Sequence, residues 1–167
     1  MVSVFREKLA FMVSELRQVS HAFIYQGHRL LLQHRDNIPD IIYPNYWGLF
    51  GGSVDSGETP AEAIRRELEE ELTWTPEEIK YVLTWEELDQ LLITYIFITP
   101  LTVNVSQLKL TEGQALGLFA FEQLIQVPLI PKIRLWLPQV VEAIASPELT
   151  AAWQEFNTKN VTWVIPH

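Results

Sequence analysis

GGSVDSGETPAEAIRRELEEELTW, residues 51–74, is the stretch that decides the fold. It begins with a glycine pair directly after the apolar run 47–50 and passes through Thr59-Pro60 into an acidic segment. Thr59 is placed to cap a helix and Pro60 to occupy its first turn, so the spacing predicts a helix over 60–72. At about 100° per residue, Ala61, Ile64, Leu68 and Leu72 fall in one stripe that faces a core. Glu67, Glu70 and Glu71 stand at i, i+3 and i+4 and gather on a neighbouring face, roughly 110° away. Three like charges on one patch repel each other unless something neutralises them, and their hard oxygen donors suit Mg²⁺ or Mn²⁺. The ordinary alternative is a solvated acidic helix, balanced by Glu62 with Arg66 and Arg65 with Glu69. The preceding residues favour a site. Gly51-Gly52 at a strand end lets backbone approach a ligand and expose a carbonyl oxygen, and Glu58 lies where the chain turns into the helix.

Towards the N-terminus, residues 21–25 and 29–34 are β-prone and flank Gln26-Gly27-His28, which predicts a hairpin. Residues 36–46 carry Asn37, Pro39, Asp40, Pro44 and Asn45 and read as a binding loop. Phe5, Leu9, Met12, Val13 and Leu16 recur at helical spacing, so a helix over about 2–18 is expected to pack on the domain. Towards the C-terminus, residues 80–85 and 91–98 read as strands, the later one central and covered on both faces. Helices are expected over about 131–157: residues 133–145 are apolar at helical spacing, with Pro138 either kinking that helix or starting a new one. Ser146-Pro147-Glu148 caps a last helix through Phe156, and residues 161–165 read as a strand or a tail.

The chain has 167 residues, 48% hydrophobic, enough for a single packed domain. Twelve Lys and Arg against twenty-one Asp and Glu give a formal charge of −9, which argues against nonspecific capture of a nucleic acid polymer. A polyanionic substrate must therefore meet borrowed positive charge. The absence of Cys excludes a disulfide framework, a thiol nucleophile and Cys-ligated zinc, and makes the cytoplasm the expected compartment. No membrane association is expected: residues 91–101 are the strongest apolar run, and Thr94, Thr99 and Pro100 interrupt it. Residues 1–19 mix Arg6, Glu7, Lys8, Glu15 and Arg17 among their apolar residues, unlike a signal peptide. No H-E-x-x-H, G-x-S-x-G, P-loop or dinucleotide fingerprint is present, so zincin, serine hydrolase, ATPase and dehydrogenase readings drop out.

The segment resembles the Nudix hydrolase family. Its box reads Gly, five residues, Glu, seven residues, Arg-Glu, an aliphatic residue, any residue, Glu-Glu, any residue, Gly, aliphatic. Gly52, Glu58, Arg66, Glu67, Leu68, Glu70 and Glu71 fill their places, while Thr73 stands where the family has Gly and Trp74 where it has an aliphatic residue. Thr73 implies either strain at the helix C-cap or a differently shaped exit. A second likeness is Glu112-Gly113-Gln114 with Phe119 and Glu122-Gln123-Leu124, similar to a downstream element that brings a further Glu to the metals.

The resemblance implies an α/β fold, a Nudix-type α/β/α sandwich with a mixed, strongly curved β-sheet. It implies metal ligation by Glu67, Glu70 and Glu71, by the Gly51 carbonyl and by Glu112, with Mg²⁺ or Mn²⁺ as cofactor. Glu67, Glu70 and Glu112 would act in catalysis, with Glu112 and then Glu70 as general-base candidates, while Glu58, Arg66 and Gly52 would support the loop. Arg35 is a candidate phosphate contact, and Tyr43, Tyr46 and Trp47 are candidates for a base or sugar. Trp85, Trp136, Trp153 and Trp163 read as structural. The implied reaction is hydrolysis of a pyrophosphate bond in a nucleoside diphosphate linked to another moiety. The alternative is a nucleotide-sensing module without turnover. A small-molecule nucleotide is the expected partner, and the apolar N-terminal helix and residues 153–165 suggest a homodimer.

Overall fold

The structure, a computed structural model, describes residues 2–160. Residues 161–165 and Trp163 therefore lie outside the described residues. The predicted hairpin forms from β1 (Arg17–Gln26) and β2 (Arg29–His34), antiparallel, turning at Gly27 with φ 58°. β3 (Trp47–Gly48) and β4 (Phe50–Ser53) divide the apolar run before the glycine pair, β3 pairing with β2 and β4 with β1. β5 (Lys80–Glu87) and β6 (Leu92–Pro100) form the second antiparallel pair, and β7 (Ala115–Phe119) joins β2.

β1 and β6 run parallel from Arg17↔Leu92 to Tyr25↔Pro100, which makes the seven-stranded sheet mixed, in the order β3-β2-β1-β6-β5 with β4 on β1 and β7 on β2. β6 is central, as its apolar content predicts.

Alternate residues of the strands feed two cores, because successive side chains point to opposite faces. Ala22, Ile24, Leu31, Phe50 and Phe97 pack with Ile64, Leu68 and Leu72 of α2 (Pro60–Leu72). Phe23, Leu30, Leu32, Ile96 and Ile98 pack on the other face with α3 (Phe121–Leu124), α4 (Pro131–Ile144) and α5 (Pro147–Lys159). The result is the expected α/β/α arrangement. α4 runs through Pro138 as one helix; Pro138 lies on its exposed side, where water can satisfy the carbonyl that loses its donor. Trp85 and Trp136 meet edge to face, and Trp153 packs against Phe121 and Phe156, as structural residues do.

The N-terminal helix departs from expectation. α1 (Val2–Glu15) stops before residue 18, because Arg17 donates its N–H to Leu91 and starts the parallel ladder with β6. Met12 and Val13 are exposed and Leu16 is half-buried, so this part of the apolar stripe does not pack on the sheet. The side chains of Phe5 and Leu9 lie outside the described ones. Among the described residues, no helix is long and apolar enough to cross a membrane.

Candidate active site

A complete capping box starts α2. Thr59 Oγ1 accepts from the Glu62 N–H at 3.2 Å, and Glu62 Oε2 accepts from the Thr59 N–H at 2.8 Å. Glu62 is thereby engaged locally and Arg65 donates to the Pro76 carbonyl at 2.6 Å, so neither balancing pair of a bland acidic helix forms among the described residues. Arg66 turns to the glycine loop instead. Its Nε and Nη2 grip Glu58 at 2.9 and 3.1 Å, its Nη2 also donates to the Ser53 carbonyl at 2.9 Å, and its Nη1 donates to Glu67 at 2.8 Å and to Glu70 at 3.4 Å. This fork is the bidentate geometry that Arg supplies and Lys does not. The Arg66 guanidinium and then the Asp55 N–H hold the Glu58 carboxyl below its usual range, and Glu58 in turn raises the Arg66 pKa.

Two glycines let the carboxylates lie against the loop backbone. Gly51 has φ 129°, and a Cβ there would stand 2.0 Å from the Ser20 carbonyl oxygen. Its N–H donates to Glu71 at 2.8 Å. At Gly52 a Cβ would meet the Glu67 carboxylate at 2.6–2.8 Å, so only glycine leaves room for that side chain.

Glu71 is buried and also accepts from Gln33 Nε2 at 3.0 Å. Burial pushes its pKa up to about 7, against the lowering effect of these two donors, with the charges of Glu112 and Glu67 adding to the rise. Burial likewise raises Glu67, opposed by Arg66 and assisted by the charges of Glu70 and Glu112. Glu112 is exposed, in the loop that follows Thr111, and Thr111 ties that loop to the end of α2 by bonds to the Glu70 and Glu71 carbonyls. The structure thus brings Gly51, Gly52, Glu58, Arg66, Glu67, Glu70, Glu71 and Glu112 into one region.

These groups fit a hard divalent cation by donor chemistry: carboxylate oxygens whose burial and mutual repulsion a positive charge would relieve. They do not stand converged. Among the described residues, no three acidic or imidazole side chains are grouped so as to hold a metal ion. The physical reason is that each finds its own donor, Glu67 on Arg66 and Glu71 on Gly51 and Gln33. Glu70, with a side chain 59% exposed, and Glu112 have room to turn.

Arg35 lines a cavity of about 250 Å³ with Gln33, Asp36 and Glu112, and a second cavity of about 240 Å³ with Tyr43. Tyr46 and Trp47 line neither. Tyr46 leans on Tyr43 at 5.4 Å between centroids, while Trp47, half-buried, stacks on His34 at 4.9 Å and meets Phe119 edge-on at 4.7 Å. No motif singles out Gln33. Its signal is a lone amide next to the apolar residues Leu30, Leu31 and Leu32; it is buried and bridges Glu71 to the Leu49 carbonyl at 3.1 Å.

The helix exit resolves the two departures at the end of α2. Thr73 takes the left-handed conformation, φ 52° and ψ 40°, and donates its N–H to the Glu69 carbonyl, while Trp74 is buried in the core under α2. The exit keeps the glycine geometry at the cost of strain.

A family model described as NUDIX domain matches residues 15–144. The chain is 29% identical to a MutT NUDIX hydrolase from Burkholderia pseudomallei, over 74% of this chain and 97% of that one, with a TM-score of 0.62. It is 26% identical to the E. coli ORF135 protein, over 78% of this chain and 92% of that one, with a TM-score of 0.59. The NUDIX domain of Shewanella oneidensis NrtR, in complex with ADP ribose, shares the fold at 18% identity and a TM-score of 0.63, over 77% of this chain and 88% of that one.

Proposed function

The chain belongs to the Nudix hydrolase family, and from that premise we propose that it hydrolyses a pyrophosphate bond in a nucleoside diphosphate linked to another moiety, with Mg²⁺ or Mn²⁺ as cofactor. The linked moiety defines the substrate classes open to it: a nucleoside triphosphate, a nucleotide sugar, ADP-ribose or a dinucleotide. One observation carries the proposal, the network in which Arg66 locks Glu58 to the glycine loop while Glu67 and Glu71 lie against Gly52 and Gly51.

Glu67, Glu70 and Glu71 would hold the metal, with the Gly51 carbonyl and Glu112. A bound divalent cation supplies charge neutralisation at the phosphate oxygens and acidifies water. The residues of the chain do the rest. The Glu112 carboxylate, or failing it Glu70, accepts a proton from the water whose oxygen attacks phosphorus, as the bond from phosphorus to the bridging oxygen breaks and the leaving phosphate takes the electron pair. Arg66 is a positioning residue that orients Glu67 and Glu70 and keeps the glycine loop on α2. Arg35 offers a cation between the carboxylates and the second cavity.

Thr73 and Trp74, which depart from the family's box, motivate the alternative of a nucleotide-sensing module without turnover. The strained but preserved helix exit weakens it. Exposed Val4, Phe11 and Val13 on α1 support the homodimer reading, which light scattering checks, and the Cys-free composition supports the cytoplasm. The test of the main proposal is incubation with Mg²⁺ and nucleoside diphosphate derivatives, alongside Glu70→Gln and Glu71→Gln. Turnover by the wild type that either substitution reduces at least about a hundredfold is expected. Turnover unaffected by both, or ligand binding without turnover, contradicts it.

A further inference from the structure

Two bonds orient the buried Glu71 carboxylate, and they come from different elements. Oε2 accepts from the Gly51 N–H at 2.8 Å, and Oε1 accepts from Gln33 Nε2 at 3.0 Å. Each carboxylate oxygen has two lone-pair directions, so one donor apiece leaves Glu71 an acceptor site on both oxygens for a cation. The Gly51 donor is backbone and does not depend on a side chain. Gln33 is the one side chain that hydrogen-bonds to Glu71 among the described residues.

Gln33 follows Leu31 by two positions on β2 and so shares the face that α2 covers. It is 3% exposed. Its Nε2 also donates to the Leu49 carbonyl at 3.1 Å, two residues before Gly51. A carbonyl and a carboxylate can only accept, so the amide nitrogen must lie on their side; the flipped amide would set oxygen against both. Oε1 therefore points the other way, where a Cβ on Gly113 would stand 3.1 Å from it. Gly113 follows Glu112, and Gln33 lines one cavity with Glu112 and Arg35.

One buried amide thus joins segments that carry three candidate ligands. It bonds to α2 through Glu71 and to the glycine loop through Leu49, and it lies against the Glu112 loop at Gly113. Filling the space under α2 does not call for an amide, since a leucine would pack beside Leu31 without the cost of desolvating two polar atoms. What an apolar residue cannot do is fix the plane of the Glu71 carboxylate while tying it to the backbone that leads to the Gly51 carbonyl.

Resting on the reading of Glu71 as a cation ligand, we infer that Gln33 is a positioning residue of that site: it sets the plane of the Glu71 carboxylate and holds it in register with the Gly51 carbonyl, so that donors from α2 and from the glycine loop are presented together. Gln33 acts through Glu71. Without its donor the Gly51 N–H still holds Oε2, but the carboxylate can turn about that bond, so cation affinity falls without vanishing.

The test is Mn²⁺ titration of the full chain, followed by electron paramagnetic resonance, for the wild type, Gln33→Met, Glu71→Gln and the double variant. Methionine keeps the length of glutamine and cannot donate. Gln33→Met weakens Mn²⁺ binding at least about tenfold in the wild-type background and adds nothing to Glu71→Gln, because there is then no carboxylate to position. A role confined to packing gives instead the same loss in both backgrounds, or a lower urea midpoint with wild-type affinity. Either of those results overturns the inference. If Gln33→Met fails to fold, Gln33→Asn, one methylene too short to reach both acceptors, decides by the same comparison. No Mn²⁺ binding by the wild type overturns the metal reading and this inference with it, whereas the expected pattern without turnover of any nucleoside diphosphate derivative sinks only the hydrolase reading.

Discussion

α1 and α2 are helices of nearly equal length, 14 and 13 residues, and both carry apolar residues at helical spacing. α2 is the more charged, yet it is the one that buries its stripe: Ile64, Leu68 and Leu72 are inaccessible to solvent, while Phe11 and Val13 of α1 are each 63% exposed. The difference lies at the ends and beside the stripe. α2 has a capping box, Pro at its first turn, and an arginine that fastens its flank to the preceding loop. Among the described residues, α1 shows none of these, and it gives way to a strand at Arg17. Helical periodicity names a face that could be buried; caps and lateral anchors decide whether it is.

The comparison is broken most forcefully by truncating each helix. Leu68→Ala should destabilise by about 2–5 kcal/mol, since it removes a buried side chain and leaves a cavity. Phe11→Ser should change stability by less than about 0.5 kcal/mol in a monomer. Urea denaturation of both variants measures the contrast, and a large loss in Phe11→Ser at all protein concentrations would show that α1 is covered by its own chain.

The lateral anchor can be loosened separately. Arg66→Lys keeps the charge but not the fork to Glu58 and Ser53, and should lower Mg²⁺-dependent turnover about 10–100-fold. The denaturation midpoint should move far less than in Leu68→Ala. If turnover is retained, the anchor is not what orders the carboxylates.

A half-buried histidine and a buried glutamate give this region a pH signature. Burial depresses His21 from 6.5 to about 4, so the unfolded chain binds more protons in that window, and this contribution to stability is lost as pH falls from 6.5 to 4. Glu71 is raised from 4.5 to about 7, so the folded chain binds more protons there, and its contribution is lost as pH rises from 4.5 to 7. The two slopes oppose each other, and Glu67, also raised by burial, adds to that of Glu71, so the metal-free wild type should gain no stability as pH rises between about pH 4.5 and 6.5. Glu71→Gln should uncover a stability that rises with pH by about 1–3 kcal/mol across this window, read from urea midpoints.

The smallest effect sharpens the account of the helix exit. Thr73→Gly should stabilise by about 0.5–1 kcal/mol, because a β-branched residue is strained at φ 52°. Destabilisation would mean that the Thr73 side chain contributes contacts that outweigh the strain.

The bounds of α2 were legible in the sequence because its caps are local: Thr59 and Pro60 start it, and the apolar stripe runs out at Leu72. The end of α1 was not, since the ladder that claims Arg17 comes from residues some seventy-five positions later. The glutamates and glycines of the site declared themselves by spacing. Their arrangement did not, because which donor each carboxylate takes depends on Arg66, Gln33 and a backbone N–H supplied by different elements. Trp47 illustrates the same limit: its ring contacts with His34 and Phe119 come from the pairing of β2 with β3 and β7, which its place before the glycine pair does not reveal.

The central claim is that the carboxylates of α2 take a divalent cation. Titration of the protein with Mn²⁺, followed by the electron paramagnetic resonance of the free ion, tests it directly. The wild type should bind, with Glu67→Gln and Glu71→Gln each weakening the affinity by about 10–100-fold. Equal affinity in all three proteins, or no binding by the wild type, would contradict it.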